Sequence, residues 1–188
     1  MQLYIRSQDE FAKVMEKVGP DEWDNPSACA GWTVRDVVGH VVWGMDLVRT
    51  WAGGKEFDNT VGAPGAPRPR DYLGADPLAD WTLARAACLP SLTPESLTTV
   101  MNTRNRGPIV LSDMVEAMTM DFTTHTWDLG RALGLTVTLD PELIEHAQRW
   151  AELNVESARN PAFFATALPT PADADPQTRL LRYLGRDA

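Results

Sequence analysis

The chain has 188 residues, of which 44% are hydrophobic and 23% charged, and it carries a formal net charge of −9 at pH 7. That length suits one domain, 1–188, able to bury a core of its own, and the acidic balance argues against nucleic acid or an anionic membrane surface as partner. Cys29 and Cys88 lie far apart and match neither a metal pair nor a disulfide framework. The first ten residues hold no long apolar run, and no apolar run approaches the ~20 residues of a membrane span. A cytoplasmic protein is therefore expected. Seven tryptophans hint at an aromatic-lined interior, although core packing explains them as readily.

In chain order, Ser7-Gln8-Asp9-Glu10 has capping-box spacing, so a first helix is expected from Ser7, with Phe11, Val14, Met15 and Val18 as its stripe. Gly19-Pro20 ends it. A connector over 20–31 carries Trp23 as its anchor. Thr33 and Asp36 form a second capping box, and Val34, Val37, Val38, Val41, Val42, Met45 and Val48 fall at helical period, so a central helix is expected from Val34 to about Trp51. Arg35, Gly39, Asp46 and Arg49 share its opposite arc; His40 lies at the edge of the apolar one. After Gly53-Gly54 comes a loop over 53–75 rich in glycine and proline, of the kind that serves as lid, binding loop or crossover. Its Lys55, Arg68 and Arg70 are candidates for an anionic substrate, against the plainer reading of a solvated loop.

Asp76-Pro77 opens a third helix, with Leu78, Trp81, Ala84 and Cys88 on one side. Leu97–Met101 and Ile109-Val110 suggest two short strands around a turn at Asn102–Pro108. Ser112 is expected to cap a fourth helix from Asp113 to Leu133, with a stripe of Leu111, Met114, Val115, Met118, Phe122, Thr126, Leu129 and Leu133. Asp140-Pro141 opens a fifth helix, a proline-punctuated stretch begins at Asn160-Pro161, and a short amphipathic helix is expected from Gln177 to Leu184. The fold class is all-α: a four-helix bundle over about 7–134, a C-terminal helical extension over about 140–188, and one short β-hairpin.

One constellation suggests chemistry. Asp121 and His125 lie four apart on the fourth helix, offset by about 40°, so their side chains can reach one point. Helices supply two ligands to one metal ion at this spacing. His40 is the other histidine on a core face, and two imidazoles with one carboxylate suit zinc, and also iron, nickel or manganese. Three protein ligands leave a position open for water or substrate. The competing reading is a core histidine merely oriented by Asp121. His146 is expected to be exposed, Trp43 and Trp127 to face away from the stripe in helix-packing roles, and Asp128 and Arg131 to form a local ion pair or anchor a neighbouring helix.

The stretch Gly31-Trp32-Thr33-Val34-Arg35-Asp36-Val37-Val38-Gly39-His40 resembles the first signature of the mycothiol-dependent maleylpyruvate isomerase N-terminal domain. His125-Thr126-Trp127-Asp128-Leu129-Gly130-Arg131-Ala132 resembles its second, and Pro176–Asp187 is similar to the ending of short stand-alone members. That family belongs with the DinB/YfiT-like four-helix metalloproteins. The resemblance implies His40, Asp121 and His125 as metal ligands. Three departures stand out: aspartate at 121 where the isomerase has glutamate, Ala28-Cys29-Ala30 in place of Pro-Cys before Gly-Trp, and no room for the isomerase's C-terminal domain.

The expected function is a metal-dependent enzyme on a small molecule, a thiol transferase or thiol-assisted isomerase. The thiol is a cosubstrate such as mycothiol, because neither cysteine is expected near the ligands. The alternatives are a thiol-independent metalloenzyme for hydrolysis or rearrangement, or a non-catalytic metal- or ligand-binding bundle. A homodimer through helix faces is compatible with each.

Overall fold

In the computed structural model, which describes residues 1–103, 107–159 and 163–188, the bundle is formed by α1 (Gln2–Met15), α2 (Val34–Ala52), α3 (Pro77–Cys88) and α4 (Leu111–Ala132). An antiparallel hairpin, β1 (Val100–Thr103) and β2 (Gly107–Val110), pairs Val100 with Val110 and Thr103 with Gly107, and runs directly into α4. Then come α5 (Pro141–Ala158), packed on α4, and α6 (Pro176–Tyr183), packed on α5. The expected all-α class with one hairpin holds. Parts of the expected turn at 102–108 and of the stretch opened by Asn160-Pro161 lie outside the described residues. No described helix is long and apolar enough to cross a membrane.

The Thr33 box forms as expected: its hydroxyl accepts from the Asp36 N–H while the Asp36 carboxylate accepts from the Thr33 N–H. Two other caps do not form. The first helix starts at Gln2, and Ser7 sits buried within it, its hydroxyl donating to the Tyr4 carbonyl. Tyr4 is the reason: fully buried, with its ring 5.9 Å from Phe122, it draws the preceding turn into the core. Ser112 does not cap α4, because the first N–H of that helix, on Leu111, already donates to the Thr99 carbonyl beside the hairpin. On α3, Trp81, Ala84 and Cys88 face the core as expected, while Leu78 is exposed.

α4 is the axis of the molecule. One side of it packs with α1, α2 and α3, the other with α5 and α6. From Met118 to Gly130 every residue is buried except Asp121, which is half-buried. A helix covered on all sides must satisfy its polar groups internally. Thr119, Thr123, Thr124 and Thr126 do so, each donating its hydroxyl to the carbonyl four residues back. Asp121 is thereby the one place between Met118 and Gly130 where this rod opens outward.

Candidate metal centre

α2 brings His40 and α4 brings Asp121 and His125 to a common point. His40 Nε2 lies 3.1 Å from Asp121 Oδ2, His125 Nε2 lies 3.3 Å from Asp121 Oδ1, and the two imidazole rings stand nearly perpendicular, 5.2 Å apart. The histidine side chains are 4% and 7% exposed and that of Asp121 24%, so the cluster is open on the carboxylate side. The shorter aspartate still reaches both rings.

The far nitrogens decide what this arrangement wants. His40 Nδ1 donates to the Gly62 carbonyl at 2.7 Å, and His125 Nδ1 donates to Asp128 Oδ2 at 2.9 Å. With each Nδ1 carrying its proton, a neutral ring turns a lone pair at Nε2 inward. Two lone pairs and a carboxylate then face one another, three acceptors with no donor among them. Positive charge must sit between them, as a proton or as a cation. Burial pushes the His125 imidazolium down, but the Asp121 carboxylate overrides it and holds His125 well above its ordinary value. Burial likewise pushes Asp121 up, and His125 and His40 bring it far below the usual carboxylate range. The donor set fits a divalent ion: tetrahedral ligands at about 2.0–2.1 Å from zinc stand about 3.3 Å from one another, close to the separations here. An Nδ1–H held by a carbonyl or carboxylate is also the usual outer support of a metal-binding histidine.

Each support belongs to a different part of the chain. The loop over 53–75 is folded onto α2: Trp43 Nε1 donates to the Asn59 carbonyl, Trp32 Nε1 to the Ala66 carbonyl, and the Pro69–Tyr72 turn packs over Gly39. A Cβ at Gly39 would stand 2.3 Å from the Pro69 carbonyl oxygen, so only glycine admits this approach. Arg70 is not free for substrate, since it forks onto Asp36 at 3.0 and 2.9 Å and reaches Asp24; Arg68 pairs with Asp71. On the other side, Asp128 is fully buried and accepts from His125, from Arg186 at 3.1 and 2.7 Å, and from the Cys29 thiol at 3.1 Å.

Several expectations are corrected here. Cys29 does lie near a ligand, its Sγ 3.6 Å from His125 Nδ1, because the connector over 20–31 folds back against α4. Cys29, His125 and Asp128 form a second group whose ligand atoms lie within 4.8 Å of one another. Of the two roles expected for Asp128, the local ion pair with Arg131 does not form, and the anchoring one does: it holds Arg186 in the turn after Pro176–Tyr183. Trp43 does not face away: its ring stacks on His40 at 6.1 Å, while Trp32 covers His40 at 5.1 Å. His146 is buried rather than exposed, donating Nε2–H to the Glu116 carbonyl across the α4–α5 contact, and it takes no part in the cluster. Trp127 packs into the α5–α6 core, as a helix-packing role requires. The three-residue spacing from His125 to Asp128 was the available signal for the outer support; nothing local pointed to Arg186.

Fold and site together define a four-helix bundle with a candidate metal-ligand cluster between two of its helices. The chain belongs to the mycothiol maleylpyruvate isomerase N-terminal domain family, whose model matches residues 6–130. It is similar to two Mycobacterium tuberculosis proteins described as uncharacterized, MT0763 of strain CDC 1551 / Oshkosh and Rv0738 of strain ATCC 25618 / H37Rv. Each is 30% identical over 183 residues, covering 96% of this chain and 94% of the relative. No solved structure gives a significant match.

Proposed function

We propose that His40, Asp121 and His125 hold one divalent metal ion, zinc foremost, and that the protein is an enzyme joining a low-molecular-weight thiol of the mycothiol type to a small electrophile. The observation carrying this reading is the meeting of a carboxylate with two imidazoles whose outer nitrogens are already committed. His40, Asp121 and His125 would hold the ion, which would supply a lowered pKa for a bound thiol, so that thiolate would be available at neutral pH.

The chain's own residues do the rest. Trp32 and Trp43 wall off His40 from water, and the half-buried Asp121 marks the side from which small molecules enter. Cys29 is not the nucleophile: its thiol donates to Asp128 on the Nδ1 side of His125, away from the shared point. The thiol is therefore a cosubstrate. In transfer, its sulfur bonds to the electrophilic carbon of a double bond, the π bond opens, and the thiol's proton passes to the other atom of that bond. In isomerisation, the same addition to a conjugated double bond is reversed after rotation, and the thiol is returned.

The test is thiol consumption with a panel of small electrophiles, run on protein purified without added metal and again after chelation. Consumption that disappears on chelation and returns with zinc supports the reading. Metal-replete protein that hydrolyses or rearranges a substrate equally well with the thiol left out removes the thiol and leaves the metal.

A further inference from the structure

The matched family domain ends at residue 130, yet the last structured turn of the chain reaches back into the site. α6 stops in a Schellman turn: the Gly185 N–H donates to the Arg182 carbonyl and the Arg186 N–H to the Leu181 carbonyl. Gly185 adopts φ +84°, and a Cβ there would stand 2.6 Å from that of Ala165, so the turn requires glycine on both counts. This turn delivers Arg186 onto Asp128, where Nε and one terminal nitrogen take one carboxylate oxygen each. The Arg186 side chain is 15% exposed and that of Asp128 0%. The oxygen taken by the terminal nitrogen, Oδ2, is also the one that accepts from His125 Nδ1.

We propose that Arg186 is a positioning residue of this centre: by fixing Asp128 it fixes the His125 ring, so the C-terminal tail sets the metal affinity of ligands on α2 and α4. The inference rests on the metal reading above. A carboxylate gripped by a guanidinium fork cannot rotate about its terminal bond, and Oδ2 is then held facing the His125 N–H and the Cys29 thiol. Without the fork, Asp128 has only a thiol and that N–H to orient it, and the ring loses its fixed direction toward Asp121.

The experiment compares wild type, Arg186→Ala, Arg186→Lys and Arg182→Ala. Arg182 is the control for damage to α6 alone, since among the described residues its side chain bonds tail groups: the Pro169 and Ala188 carbonyls and the Asp187 carboxylate. Two quantities are read: zinc affinity by chelator competition, and the low-field Nδ1–H resonance of His125 in metal-free protein. Expected is a loss of about 10–100-fold in zinc affinity for Arg186→Ala, the range typical of outer-support residues. Arg186→Lys should fall between, and added guanidinium should partly restore Arg186→Ala. The resonance should broaden or vanish in Arg186→Ala and persist in Arg182→Ala. Wild-type zinc affinity and an unchanged resonance in folded Arg186→Ala would overturn the proposal. If Arg186→Ala does not fold, Arg186→Lys decides in the same terms. A wild-type protein that binds no zinc overturns the metal reading and the affinity claim with it, while the resonance separately decides whether Arg186 holds the ring.

Discussion

His40 leans on an irregular loop and His125 on a buried ion pair, and the two supports differ in what can break them. The loop over 53–75 offers a neutral carbonyl and is tied down at several separate places: two indole N–H groups, the Arg70–Asp36 fork and the close approach over Gly39. The tail offers one concentrated contact, Arg186 on Asp128. Burial pushes the Asp128 carboxyl up, and Arg186 with His125 more than offsets it, holding Asp128 below the usual range. A neutral carbonyl can only orient a ring, whereas an ionised carboxylate also strengthens its basicity. Distributed ties should therefore fail gradually and the single ion pair abruptly.

The largest effect should come from breaking the charged side. Asp128→Ala leaves the Arg186 guanidinium without its carboxylate and His125 without its acceptor. Removing one partner of a buried pair costs about 3–5 kcal/mol, readable as a lowered denaturant midpoint, with metal affinity falling alongside. A smaller loss is expected on the neutral side from Gly39→Ala. Its methyl would meet the Pro69 backbone, and such overpacking costs about 1–3 kcal/mol. Because other ties hold the loop, metal affinity should drop less than in Asp128→Ala.

Acid sharpens the comparison further. Burial pushes the Asp36 carboxyl up, but Arg70 together with the Thr33 and Arg70 backbone N–H groups brings it below its ordinary 3.8. A depressed folded-state value means that this pair stabilises the protein fully above that ordinary value and progressively less as pH falls through the folded one. Acid unfolding of wild type should thus steepen below about pH 4, and Asp36→Asn, already lacking the charge, should show a shallower dependence there. Smallest of all, Thr33→Ala removes a helix cap that touches neither histidine and leaves the Arg70–Asp36 fork in place. It should cost about 1 kcal/mol in thermal or chemical unfolding and leave metal content unchanged.

The pattern of what the sequence disclosed follows the same division. The rods were legible because periodicity and caps are local: Thr33 and Asp36 announce α2, and the four-residue step from Asp121 to His125 places two ligands on one face. The family signatures supplied the reason to join His40 to them. The supports were not legible. Arg186 meets Asp128 across 58 residues, and Gly62 meets His40 across 22, and which helix each turn reaches depends on long-range packing. Ser7 misled for the converse reason, since a locally valid cap was overruled by the burial of Tyr4. Cys29 was placed far from the ligands because a connector without periodicity gives no direction.

The most direct test of the account is elemental analysis of the protein purified without added metal, beside His40→Gln and His125→Gln shown to be folded by circular dichroism. The account predicts a single tightly held divalent ion per chain in wild type and its loss in both variants. Either variant retaining the full wild-type content would contradict it, since the ion would then be held by something other than the convergence of α2 and α4.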